Sequence, residues 1–112
     1  MAQQPSYRIE RVNELVRREL VLLLRKEVND PRLKQVVITD VITSRDLSSA
    51  KVFFSTEEGT QKEVSALLCK ANGFFRAHLS KALDLRHTPT LKFIYDTAPN
   101  TGARIEDLLS KL

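Results

Sequence analysis

The sequence predicts an α+β fold of one domain, with helices packed on one face of a three-stranded sheet. Two amphipathic stretches, residues 6–27 and 61–83, carry apolar residues at steps of three or four, the period of a helix face. Three shorter segments, residues 35–43, 50–55 and 90–95, are β-branched or aromatic and are bounded by turn residues. A length of 112 residues suffices for one core and not for two.

Residues 1–5 read as a short disordered lead. Ser6 is then placed to cap a helix running to Glu27, in which Ile9, Val12, Val16, Leu20 and Leu23 share the inward face. Arg11, Arg18 and Arg25, seven residues apart, line one flank of it, with Glu10, Glu14 and Glu19 interspersed. That flank reads equally as an ordinary solvated edge. Asn29-Asp30-Pro31 ends the helix, because a proline pushes the residue before it out of the helical region.

Gln35 to Thr43 is the first strand and Ala50 to Ser55 the second. The polar turn Ser44-Arg45-Asp46-Leu47-Ser48 joins them as an antiparallel hairpin with a longer loop. Asp46 suits turn chemistry, since a short carboxylate can accept hydrogen bonds from local N–H groups. Glu57 to Thr60 forms the next turn, and Thr60 with Glu63 has the spacing of a capping box.

From Gln61 to Leu83, Val64, Leu67, Leu68, Ala71, Phe75, Leu79 and Ala82 make one inward stripe. Gly73 interrupts the pattern, at a position where glycine costs about 1 kcal/mol relative to alanine. A stripe that keeps phase across a glycine predicts two helices joined by a kink rather than one straight rod. Asp84 to Pro89 is a loop, Thr90 to Tyr95 the third strand and Pro99 to Gly102 a turn. Ala103 to Leu112 can form a terminal helix with Ile105, Leu108 and Leu109 inward.

Opposite the inward stripe of residues 61–83 lies a second one made only of small residues: Ala66, Cys69, Gly73, Ala77 and Ser80. Lys62 is on the same side, and Lys70, Arg76 and Lys81 flank it. Between Lys70 and Lys92 there are five basic residues (Lys70, Arg76, Lys81, Arg86, Lys92) and one acidic residue, Asp84. That local excess equals the +4 net charge of the whole chain. Small residues admit another backbone closely, and the flanking cations attract phosphate. The start of the helix after the kink adds free N–H groups and the positive end of a dipole. None of these reads base identity. The same stripe is also what a tightly packed neighbouring helix needs, the first helix above all. It would equally suit a partner helix or a second copy of the chain. Exposed aromatics would allow general binding of single-stranded RNA, and Phe54, Phe74 and Phe93 are either such platforms or core.

Other functions are disfavoured. A single cysteine, Cys69, precludes an internal disulfide and a Cys-rich metal site, and fits a reducing compartment such as the cytoplasm. The longest apolar run, Leu20 to Leu24, is too short to span a membrane, and Met1 to Ser6, with no long apolar h-region, is not expected to act as a secretory signal. Nucleophile–base pairs, carboxylate pairs, phosphate loops and metal clusters are not recognisable. His78 and His87 have no partner at ligand spacing. No cofactor, membrane or small-molecule substrate is therefore expected.

Four local patterns resemble the ribosome-binding factor A family, over about residues 7 to 112. They are Arg8, Arg11 and Val12 in the first helix, and Asp30-Pro31-Arg32-Leu33 after it. The third is Ser44-Arg45-Asp46-Leu47 before Ala50-Lys51-Val52. The last is Ala71-Asn72-Gly73-Phe74-Phe75-Arg76, followed by Leu83-Asp84-Leu85-Arg86, Pro89 and Phe93-Ile94-Tyr95-Asp96. The resemblance implies a type II KH-like fold in which an Ala-x-Gly helix kink, here Ala71-Asn72-Gly73, replaces the usual glycine loop. It implies no catalysis. It implies binding to free small ribosomal subunits near the 5′ end and decoding region of 16S-type rRNA, and a role in late maturation and rRNA processing. The chain stops at Leu112 without the charged extension many members carry, so no role of such a tail is expected. The residues expected to meet RNA are Arg8, Arg11, Arg18, Arg45, Lys70, Ala71, Asn72, Gly73, Arg76, Lys81 and Arg86, with the protein monomeric when free.

Overall fold

The computed structural model describes residues 5–26, 28–83 and 87–97. Their order is α1 (Pro5–Lys26), α2 (Pro31–Lys34), β1 (Val37–Thr43), β2 (Ser49–Ser55), α3 (Gln61–Lys70), α4 (Asn72–Ala82) and β3 (Thr90–Tyr95). The expected turn at 99–102, the terminal helix at 103–112 and Arg86 lie outside the described residues.

The α1 stripe goes inward as its period dictates, with Val12, Val16, Leu20 and Leu23 all buried. The helix begins one residue earlier than expected, so Ser6 lies within its first turn and is not its cap. Pro5 suits that start, because proline's fixed φ is already helical and the first N–H has no helical acceptor to lose. Asp30-Pro31 does more than stop α1. Asp30 caps a four-residue helix, its Oδ1 accepting from the Arg32 backbone N–H at 2.9 Å. The Arg32 guanidinium then grips the Asp30 carboxylate at 2.8 and 3.0 Å and reaches Glu63 of α3 at 2.6 Å. These bonds hold the Asp30 carboxyl below its usual range.

The sheet has the order β1-β2-β3, with β1 antiparallel and β3 parallel to β2. Its register lays three rows across the core face: Ile38–Phe54–Tyr95, Val41–Val52–Phe93 and Thr43–Ala50–Leu91. A bulge between Ile38 and Asp40 leaves Thr39 unpaired. Its hydroxyl donates to the buried Asp96 carboxylate at 2.6 Å, and the Asp96 N–H bonds to Phe54 O at 2.7 Å. The end of β3 is thereby fastened to both other strands. β1 forms an edge of the sheet. The Ser44 N–H bonds across to Ser49, so the N–H groups of Thr43 and Val41 alternate to the outer side. There the Asn13 side chain of α1 accepts from Thr43, and the Asp40 carboxylate accepts from Val41, both at 2.8 Å.

Phe75 fills the middle of the core, fully buried, with its ring 5.6 Å from that of Phe93. The long helical stretch is broken as anticipated, within Ala71-Asn72-Gly73 and at the first of these residues. Ala71 has φ −88° and ψ 6°, while Gly73 sits inside the first turn of α4. The Asn72 side chain donates to Leu91 O of β3 at 2.8 Å and pins the new helix start to the sheet. The expected capping box at Thr60 does not form: Thr60 Oγ1 donates to Glu57 O, and Glu63 is taken by Arg32. Ala82, assigned to the inward stripe, is exposed.

Candidate nucleic-acid interface

Every member of the small-residue stripe (Ala66, Cys69, Gly73, Ala77 and Ser80) is exposed, on the outer side of α3 and α4. Close packing by α1, one reading of that stripe, is therefore overturned among the described residues. α1 meets α4 on another side, where His78 Nε2 lies 3.0 Å from Glu19 Oε1. His78 thus joins two helices.

Gly73 has no described atom within 4 Å of the place a Cβ would occupy, and its φ is not in the left-handed region. Nothing in the described fold demands glycine there. Gly73→Ala is expected to raise stability by about 0.5 kcal/mol, read as a higher Tm, because alanine loses less backbone freedom on folding.

The cations fall into two kinds. Lys62, Lys70 and Lys81 are exposed and make no ion pair among the described residues. Arg76 is exposed too, but its guanidinium donates to Pro89 O at 3.2 Å and Thr88 O at 3.1 Å. It holds the entry to β3 against α4, a duty its sequence position does not reveal. Asn72, expected at the RNA, is likewise engaged with Leu91. Ala71 is half-buried against the core.

Topology gathers several of the remaining residues. The Thr90 N–H bonds to Ser48 O, which puts the β1–β2 turn beside the start of β3 and hence beside the Thr88–Pro89 segment that Arg76 holds. Asn13, bonded to Thr43, brings the N-terminal half of α1 to the same end of the sheet. Arg8, Arg11, Arg45 and Arg76 therefore share one end of the domain, and all four are exposed. Arg18, also exposed, lies two turns further along α1 beside a shallow groove with Glu14, Arg17, Val21 and Leu22.

The β1–β2 turn, which carries Arg45, is ordered by Asp46. Asp46 Oδ1 accepts from Ser44 Oγ at 2.8 Å, Ser48 N at 3.0 Å and Ser48 Oγ at 2.7 Å. Leu47 adopts a φ of 63°, unusual for a side chain with a Cβ. Its partly buried side chain packs against the core and keeps it there. The hydrogen bonds from Ser48 and then Ser44 lower the Asp46 pKa from 3.8 to about 2. A folded value below the unfolded one means that the turn's contribution is complete above about pH 4 and drains away as pH falls through about 2. An NMR titration is expected to move the Ser48 amide resonance with a midpoint near that lower value.

The sequence alone leaves Phe74 undecided between core and surface. It is 48% exposed, whereas Phe54 is fully buried and Phe93 half-buried.

Comparison with known proteins agrees along the chain. The sequence model of the family described as Ribosome-binding factor A matches residues 8–109. The ribosome-binding factor A of Vesicomyosocius okutanii subsp. Calyptogena okutanii is 66% identical over 110 residues, covering 98% of this chain and 96% of that one. That of Ruthia magnifica subsp. Calyptogena magnifica is 62% identical over 112 residues and covers all of both. The crystal structure of ribosome-binding factor A from Thermus thermophilus superposes with a TM-score of 0.72 at 22% identity, over 78% of this chain and 93% of that one. A homology model of the Thermus thermophilus factor, fitted into a cryo-electron-microscopy map of its 30S complex, gives 0.63 at 25% identity over 76% and 91%. The chain belongs to the ribosome-binding factor A family.

Proposed function

We propose that this chain is a ribosome assembly factor. It binds the free small ribosomal subunit through 16S-type rRNA, near the 5′ end and decoding region, and assists late maturation and rRNA processing without catalysing a reaction itself. It does so as a cytoplasmic monomer.

The observation that carries this reading is the bare outer face of α3 and α4, where small residues lie between exposed lysines with no ion-pair partner among the described residues. A sugar–phosphate backbone can approach such a face closely and is attracted to it. The exposed arginines at the turn end of the sheet extend the positive surface. Family membership supplies the choice of ribosomal RNA, and the relative fitted into a 30S complex supports the choice of subunit.

Co-sedimentation tests it. The protein is expected to pellet with purified free small subunits in preference to whole ribosomes, and to be released as salt rises. Equal binding to both particles, or none at low salt, overturns the reading. The bare face would also suit a partner helix or a second copy of the chain. A stable dimer in light scattering, broken by Gly73→Leu, would favour that reading instead.

A further inference from the structure

Phe74 is the one aromatic side chain among those described that the fold leaves largely in solvent. Phe53, Phe54 and Phe75 are buried, and Phe93 and Tyr95 are half-buried. The ring is not adrift. It leans on Phe75 with centroids 5.8 Å apart and planes tilted by 58°, so the core beneath helps to fix its direction. Helical spacing puts Ala77 one turn and Lys81 two turns further along the same side of α4, and both are exposed. Gly73 beside it carries no side chain, and a Cβ there would meet open space. Lys70 stands exposed at the end of α3, one residue before the break. The result is a flat apolar ring on a bare surface, with a cation on either side of it along the chain.

Phosphate attraction alone needs no such ring. A ring beside lysines is suited to a ligand that is flat and apolar at one part and anionic at the next, as an unpaired nucleotide is. In a duplex the base faces are already stacked on one another and are not offered. Resting on the assignment of RNA binding to this face, we infer that Phe74 stacks on an unpaired nucleobase, with Lys70 and Lys81 meeting the flanking phosphates. The site then takes single-stranded nucleotides and discriminates against helical RNA.

The chain contains no tryptophan, so Phe74→Trp introduces a single reporter at the proposed platform. Its emission is expected to be quenched on titration with a short single-stranded oligoribonucleotide, with affinity within a few-fold of wild type. The same sequence annealed to its complement is expected to quench less and bind more weakly. Phe74→Leu keeps an apolar side chain and the helix but removes the stacking face. It is expected to bind the single strand and free small subunits roughly tenfold more weakly or worse, while the thermal melt falls only slightly, because about half of the Phe74 side chain is already in solvent. Leucine binding as well as phenylalanine, or tryptophan bound without quenching, overturns the stacking role. The two ideas fail differently. Wild-type protein that does not bind free small subunits at all removes the RNA reading and this inference with it. Subunit binding indifferent to Phe74→Leu removes only the stacking.

Discussion

Phe75→Ala is expected to destabilise the domain by about 3–5 kcal/mol, the range for truncating a fully buried phenylalanine. The side chain has no exposed surface, and its ring packs on Phe93 of β3 and on Phe74. It therefore couples α4 to the sheet. Removing it leaves a void that the surroundings can fill only by moving α4, whose start is held by Asn72 and whose next turn is held by Arg76. Those tethers resist collapse, which places the cost high in the range. Domains of this kind have total stabilities of about 5–15 kcal/mol, so a large share of the folding free energy goes with one side chain. The measurement is the urea midpoint at unchanged slope. A loss below about 1 kcal/mol would contradict the packing described.

Reversing two charges, Lys70→Glu with Lys81→Glu, is expected to weaken binding to free small subunits by at least roughly tenfold at low salt. Each phosphate that no longer meets a cation should reduce the slope of log affinity against log salt by about 0.7–0.9. Both lysines are exposed and without an ion-pair partner among the described residues, so the melt should move little. Arg76 is the wrong residue for this test. Its hydrogen bonds to Thr88 and Pro89 make a fall in binding indistinguishable from a loosened β3. An unchanged salt slope in the double variant would place the phosphate contacts elsewhere.

Periodicity makes most of the fold legible. It bounds β3 correctly at both ends, and α1 and β2 to within one residue. Contacts between residues distant in sequence account for part of what the pattern misses. The capping spacing of Thr60 and Glu63 is genuine, but Arg32, 31 residues away, takes the glutamate. The glycine announces a break in the long helix, yet Asn72 reaching Leu91 sets the start of α4 beside Ala71. α2 escapes notice when Asp-Pro is read only as a terminator, although Asp before Pro is also how a helix begins. At the candidate site the small-residue stripe is visible in the sequence, while its emptiness is not. Only the packed structure shows that α1 approaches α4 elsewhere. For Phe74 the pattern holds more than the inward stripe alone conveys. Consecutive residues on a helix point about 100° apart, so with Phe75 in the stripe, Phe74 could not share its direction.

The hydrogen bonds along β1 have a consequence for what the protein avoids. An edge strand with open N–H groups is a template on which another chain can lay a strand, and it is a common start of aggregation. Here the outward amides of Val41 and Thr43 already have acceptors, one from Asp40 and one from Asn13 across on α1. The bulge at Thr39 further interrupts the regular spacing that a foreign strand would have to match. Asn13 thus guards the side of the sheet while its neighbours Val12 and Val16 build the core. One stretch of α1 both folds the domain and keeps it from being extended by a stranger's backbone.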